Sequence, residues 1–150
     1  MAIKDTTKKP FIEDRDTNIF VGLDLPIRRG DGKEGYFAST STTIEAVKNN
    51  IKNLLKTDKG ERLMQPNFGL NLKSYLFEQI TNELILLIQN DIVDTFRVWL
   101  PFVDIKELKV IPGPGGDVGD NTLNINIVFN IKQDPTTLAS VQVLIDNGGE

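Results

Sequence analysis

A regular alternation of apolar and polar side chains constrains the fold of this chain more than any other feature. From Thr122 to Lys132, apolar residues stand at positions 123, 125, 127, 129 and 131, and the positions between them are mostly polar. Successive side chains of a β-strand point to opposite faces of its sheet. The pattern therefore predicts a strand with one buried face and one largely polar face.

Two further segments complete the predicted sheet. Residues 107–111 are predicted to be extended, and Val141, Val143 and Ile145 alternate with other residues near the end of the chain. Asp134-Pro135 is predicted to turn the chain before this last strand, because proline fixes φ and lacks an amide donor. These segments predict a small, mainly antiparallel sheet in the C-terminal third.

Two main helices are predicted ahead of the sheet. The first is predicted to begin at a capping box formed by Thr42 and Glu45 and to end at Gly60 in a left-handed conformation. The second is predicted to run from a Thr81 cap to Trp99, and a short helical turn is predicted near residues 72–77. Apolar side chains recur at helical spacing at positions 44, 47, 51, 54 and 55 and at positions 84, 88, 92, 96 and 99. The pattern predicts an α+β fold in which these stripes, Trp99 included, are core.

The first 40 residues differ from the rest. Between Met1 and Glu34, seven Lys or Arg residues balance seven Asp or Glu residues, and few periodic patterns appear. We therefore predict an extended N-terminal arm over residues 1–40 and an α+β domain over residues 41–150. The arm is either disordered or ordered on a neighbour, since Phe20, Tyr36 and Phe37 would be costly to leave in water.

Composition excludes several classes of function. Without cysteine or histidine, the chain lacks thiolate nucleophiles, cysteine–zinc sites and the commonest general base. The net charge of −4 disfavours nucleic-acid binding, and the longest apolar run, residues 84–88, is too short to span a membrane. We expect an intracellular, soluble protein with neither a cofactor nor a metal.

No catalytic constellation emerges from the sequence. The glycines between residues 113 and 119 precede a strand, so a hairpin loop is favoured over a phosphate-binding loop. Asp117 and Asp120 lack the spacing of a calcium loop. Glu61 and Glu78 could form a glycosidase pair only at a defined separation with one carboxyl group in an apolar pocket, and the sequence shows neither condition.

The segment between the helices contains the most distinctive motif. It combines residues that restrict or relax the backbone with a charged pair and an aromatic ring, namely Gly60, Glu61, Arg62, Pro66, Phe68 and Gly69. A loop specified in this way is predicted to be rigid and to present a docking surface, where Arg62 makes bidentate bonds to a partner carboxylate or carbonyls.

This segment and its surroundings resemble a known family. The chain from Thr43 to Ile145 contains five features in order. They are a helix, the Gly-Glu-Arg…Pro-x-Phe-Gly loop, Leu76-Phe77-Glu78, a long helix, and strands with Asp-Pro between the last two. That order resembles the short, lysozyme-like baseplate-wedge proteins of contractile-tailed phages, which are related to a baseplate component of type VI secretion. Residues 24–37 resemble longer members of this family.

The resemblance implies a structural protein of the virion. Such proteins lie in the tail baseplate near the tail tube, dock on the wedge core, and initiate the contractile sheath. The implied partners are other wedge proteins, the sheath protein, and tube or hub proteins, in a symmetric baseplate assembled in the host cytoplasm with several copies of each wedge protein. An alternative function is a tail-associated lysozyme, a glycoside hydrolase.

The resemblance also points to two further candidate contacts. Family members have Glu-Pro-Arg after the long helix, where this chain has Leu100, Pro101 and Phe102. Only the proline is kept, so an apolar contact would replace the ion pair, unless these side chains simply close the core of the domain. Sheath initiation implies a free sheet edge, for which the strand containing Val141, Val143 and Ile145 is the better candidate.

Overall fold

A computed structural model of the chain describes residue 11 and residues 13–16, 19–32, 35–113 and 122–146. The chain divides into two compact units, residues 1–50 and residues 51–150. Within the described ranges, no helix is long and apolar enough to cross a membrane. Most of the predicted 113–119 loop, with Asp117 and Asp120, lies outside the described residues, and the predicted arm boundary after residue 40 stays a prediction.

The first unit contains a short antiparallel pair and the start of the first helix. Strand β1 (Gly22–Leu23) pairs with β2 (Ser39–Thr40), and helix α1 (Thr43–Lys56) follows. One predicted capping bond is present, because the Thr42 hydroxyl accepts from the Glu45 amide at 3.3 Å. The buried carboxylate of Asp14 also accepts from the Thr43 amide at 2.7 Å, so the start of α1 is capped twice.

The second unit contains the end of α1, two more helices and a three-stranded sheet. Helix α2 (Leu72–Tyr75) is short and α3 (Asn82–Trp99) is long, and the predicted Thr81 cap is confirmed by its bond from the Leu84 amide at 3.2 Å. A hydrogen bond from the Tyr75 hydroxyl to Asp91 joins α2 to α3. Burial, and then this carboxylate, raise the pKa of Tyr75 to about 12.

The sheet confirms the predicted architecture. Strands β3 (Val103–Pro112), β4 (Leu123–Ile131) and β5 (Asp134–Ile145) are antiparallel in the order β3–β4–β5. The alternating apolar residues of β4 are buried, as predicted, and so is the stripe of α3 from Leu84 to Phe96. The Gln89 side chain also bonds to the Leu108 carbonyl at 3.3 Å, so α3 is fixed to β3.

Three local predictions are wrong. Helix α1 ends at Lys56, and Gly60, although at a φ of +89°, lies four residues later in the following turn. Lys132 and Gln133 form the turn between β4 and β5, whereas Asp134 and Pro135 begin β5. An outer strand tolerates proline near its start, because an outward amide has no partner in the sheet. Trp99 is only partly buried.

Candidate functional site

The candidate site centres on the loop between α1 and α2, residues 57–71, here called the connecting loop. Backbone hydrogen bonds cross this loop near its tip and near its ends. The Gly60 amide donates to the Pro66 carbonyl at 2.8 Å, and the Leu70 amide donates to the Thr57 carbonyl at 2.9 Å. These bonds close the neck of the loop, so its tip is held in a defined conformation.

Polar side chains reinforce the same loop. The Glu61 carboxylate accepts from the Asp58 amide at 3.0 Å, and the Asn71 side chain accepts from the Lys59 amide at 3.0 Å. Asp58 in turn pairs with Lys73 of α2 at 3.3 Å. Glu61 therefore stabilises the loop backbone, and within the described residues it forms no ion pair with Arg62.

Arg62 contacts an aromatic pair instead. Its guanidinium carbon lies 4.0 Å from the centre of the Phe68 ring, a cation–π distance. Phe68 packs edge-on against Trp99 of α3, with ring centres 5.2 Å apart and planes at 71°. Trp99 is thus the support for the connecting loop, which explains why it is only partly buried.

The tip of the connecting loop exposes two apolar residues that the sequence analysis did not select. The Leu63 side chain is 97% exposed and the Met64 side chain is 93% exposed. The sequence does contain a signal for them, namely two adjacent large apolar residues inside an otherwise polar loop. Because a short turn cannot bury both, such a pair indicates exposure.

The second candidate, residues 100–102, follows Trp99 directly. Leu100 is buried at the end of α3, so it closes the core, whereas Phe102 is 39% exposed. An open groove of about 310 Å³ lies beside Pro101. It is lined by Val93, Phe96, Arg97, Val103, Asp104, Ile105 and Lys132. The contact between Phe68 and Trp99 places this segment and the connecting loop at the same end of α3.

The third candidate is β5, an outer strand of the sheet. Val141, Val143 and Ile145 are buried on the face that contacts the helices, at 5%, 2% and 4% exposure. The end of β5 also borders a groove of about 210 Å³ whose other wall includes Lys56, Asp58 and Lys73. The structure therefore brings β5 close to the base of the connecting loop.

The two outer strands differ sharply in charge. β3 contains the ion pairs Asp104–Lys106 and Glu107–Lys109, each at 2.6 Å, and it bulges between Ile105 and Glu107. Residues 135–145 of β5 include no charged residue. The pairing of β4 with β5 is also irregular, between Asn130 and Ile131. Charges on an outer strand discourage pairing with other chains, so β3 is protected by charge where residues 135–145 are not.

Among the described residues, Glu61 and Glu78 do not meet the conditions for a glycosidase pair. Glu61 and Glu78 are both exposed, so neither lies in the apolar pocket that a glycosidase acid requires. Across the part of the chain that the structure describes, no cluster of Asp and Glu could hold a metal ion.

Comparison with known proteins gives one family model and one relative in sequence. The family model described as baseplate wedge protein gp25 matches residues 41–136. The baseplate wedge protein gp25 of Enterobacteria phage T4 is 28% identical over 105 residues, which cover 70% of this chain and 76% of that protein.

Two solved structures share the fold. One, from Geobacter sulfurreducens and provisionally named a tail lysozyme, has a TM-score of 0.61 and 22% identity over 71% of this chain and 93% of its own. The other, from the baseplate of the anti-feeding prophage, has a TM-score of 0.55 and 21% identity over 84% of each chain. The family model covers more than half of the sequence, and the chain belongs to the gp25 family of baseplate wedge proteins.

Proposed function

We propose that this protein docks on the wedge core of a contractile phage tail, near the tail tube. In this proposal it initiates the sheath, because the outer edge of β5 pairs with a strand of a sheath subunit. The outer position of β5, together with the absence of charged residues from 135 to 145, is the observation that supports this proposal. Several copies would act together in a symmetric baseplate.

Strand addition suits the chemistry of β5. An outer strand presents amides and carbonyls that an added strand can satisfy, and side chains on both of its faces set the register. Val143 and its buried neighbours anchor β5 to the core, while Leu138 and Leu144 are 63% and 53% exposed on the other face. An incoming strand would find apolar side chains beside unpaired backbone groups.

Two other surfaces are proposed to dock the protein on the baseplate. The connecting loop, with Gly60, Glu61, Arg62, Pro66, Phe68 and Gly69, would contact other wedge proteins. Pro101 and Phe102, beside the groove at the end of α3, would provide an apolar contact with tube, hub or wedge proteins. Leu100 would support that contact from within the core.

We also propose that the protein is not an enzyme, although one relative in fold is provisionally named a lysozyme. The exposure of Glu61 and Glu78 supports this, because a glycosidase acid needs a desolvated carboxyl group. The purified protein is expected to leave peptidoglycan intact. Clearing of cell-wall substrate by the wild type that Glu61→Gln or Glu78→Gln abolished would contradict this proposal.

The strand proposal is tested in phage by Val143→Pro, which removes one amide donor from β5. Baseplates and tail tubes should assemble while sheaths fail to start or detach. Normal sheathed tails that contain the substituted protein would contradict strand addition at this site.

A gentler pair of variants separates pairing from stability. Leu144 and Ile111 are 53% and 46% exposed, and both lie opposite Asn124 in the central strand. Leu144→Lys places a charge on β5, and Ile111→Lys places the same charge on β3. Only Leu144→Lys is expected to block sheath initiation, and equal effects would contradict the choice of β5.

A further inference from the structure

The tip of the connecting loop exposes more apolar surface per residue than any other described part of the chain. Leu63 and Met64, at 97% and 93%, are the two most exposed large apolar side chains among the described residues. Adjacent exposed apolar residues rimmed by polar ones are typical of contact sites. Within the described part of the chain they make no hydrophobic contribution to the core.

The loop holds these side chains in place before any partner binds. The Gln65 amide donates to the Arg62 carbonyl at 3.2 Å, which closes the turn that contains both residues. Below the turn, the Gly60–Pro66 bond and the stack of Arg62 on Phe68 fix the neck. A contact formed by such a loop costs little further conformational entropy, so the loop is preorganised for binding.

Two cationic side chains, Lys59 and Arg62, and one carboxylate, Glu61, lie beside the tip. The Glu61 carboxylate already accepts from the Asp58 amide, whereas Lys59 and Arg62 form no ion pair within the described residues. A guanidinium stacked on a ring still has its N–H donors in the plane, where they can bind a carboxylate through two bonds. The tip therefore complements an apolar surface with an acidic rim.

We infer that Leu63 and Met64 form an apolar anchor that inserts into an apolar pocket of another baseplate protein, and that Arg62 binds a carboxylate at the rim of that pocket. The inference rests on the proposed function and specifies the partner chemistry of the connecting loop. Met64 suits this role because its thioether side chain is flexible and polarisable and adapts to irregular pockets.

A second copy of this chain fits the anchor less well than a different protein does. The groove beside Pro101 has a mixed lining, in which Arg97 and Lys132 would oppose Arg62 and Asp104 is already paired with Lys106 at 2.6 Å. A membrane is also a poorer partner, because two side chains on one turn bury far less surface than an amphipathic helix. A heterologous protein with an acidic rim satisfies both the shape and the charge.

The anchor is tested with the full chain and a wedge complex reconstituted by co-expressing the other wedge proteins of the same phage. Removing one buried Leu or Met side chain should weaken binding roughly ten- to a hundredfold. We expect Leu63→Ser and Met64→Gln each to show that loss, and Arg62→Lys a smaller one. Leu86→Ser, which alters a 59% exposed residue of α3, is the matched control and should bind as the wild type does.

Chemical modification gives an independent readout. The chain contains two methionines, Met1 and Met64, and peroxide converts an exposed methionine into a polar sulfoxide. Peroxide should abolish tight binding of the wild type, while Met64→Leu should bind normally before and after treatment. A photoreactive residue at position 63 should crosslink to apolar residues beside an Asp or Glu in a wedge protein.

The outcomes separate this inference from the sheath proposal. Wild-type binding by Leu63→Ser, crosslinks to a second copy, or flotation with anionic vesicles that Leu63→Ser abolishes would each overturn the anchor. In phage, Leu63→Ser should yield baseplates that lack this protein, whereas Leu144→Lys should yield baseplates that contain it but have no sheath. Normal sheaths with Leu144→Lys would overturn the proposed function and leave the anchor intact.

Discussion

Replacing Gly69 with alanine tests whether the neck of the connecting loop needs a glycine for space as well as for conformation. Gly69 has a φ of +100°, and an added Cβ would lie 2.8 Å from the Thr57 carbonyl carbon and closer still to its oxygen. Gly60, at a φ of +89°, has no other atom within 4 Å of the same position. Gly60→Ala is therefore a matched control for Gly69→Ala.

The two substitutions share one cost and differ in another. A non-glycine residue in the left-handed region costs roughly 1–2 kcal/mol, which applies to both variants. At Gly69 the Thr57 carbonyl must also move, although it accepts from the Leu70 amide at 2.9 Å. Backbone displacement and a weakened hydrogen bond add roughly 2–3 kcal/mol. We expect a loss of about 3–5 kcal/mol for Gly69→Ala and about 1–2 kcal/mol for Gly60→Ala.

Urea unfolding measures this difference directly. Trp99 is the only tryptophan and contacts Phe68, the neighbour of Gly69, so its fluorescence reports on the loop. With a urea dependence of about 2 kcal/mol per molar, the midpoint of Gly69→Ala should lie about 1–1.5 M below that of Gly60→Ala. Equal midpoints would refute the reasoning, because the steric contribution would then be absent.

Three further predictions concern stability. Thr81→Ala should lower the free energy of unfolding by about 1 kcal/mol because the cap on the Leu84 amide is lost, whereas Thr81→Ser should restore it; equal urea midpoints for the wild type and Thr81→Ala would contradict the cap. The pKa of Tyr75 is raised to about 12 by burial and by Asp91, so stability should be complete below pH 10 and fall as the pH rises towards 12. Tyr75→Phe should remove this loss of stability when urea unfolding is measured between pH 10 and 12. If the loss persisted in the variant, another group would be responsible for it. Arg62→Ala should lower the free energy of unfolding by no more than about 1 kcal/mol, the size of an exposed cation–π contact, yet block wedge assembly. Unfolding of the free Arg62→Ala protein would instead make the loop part of the core architecture.

The long elements were predictable because local pattern and tertiary burial agree in them. The stripe of α3 from Leu84 to Phe96, its Thr81 cap and the alternation of β4 all appear as predicted. In these segments the period of the apolar residues alone determines which face is buried. The fold class followed from their order.

The errors arose where a distant contact or a neighbouring strand decides the outcome. Pro135 is a turn residue by local preference, but β5 tolerates this proline because the strand lies at the edge of the sheet. Trp99 lies at the end of the apolar stripe, yet it is only partly buried and packs edge-on against Phe68 of the connecting loop. The adjacent apolar pair Leu63 and Met64 indicates exposure, but the backbone bonds that hold the turn in place follow from no local pattern.

The uncharged run of β5 also bears on how the protein behaves in solution. Residues 136–145 combine apolar and β-branched side chains with no charge, glycine or proline, which is the composition of segments prone to aggregate. Asp134 and Asp146 stand at its two ends, where acidic residues act as gatekeepers against ordered aggregates. The strand proposed to recruit a sheath subunit is therefore expected to pair with other copies of this protein at high concentration, and incorporation into the baseplate would prevent that pairing.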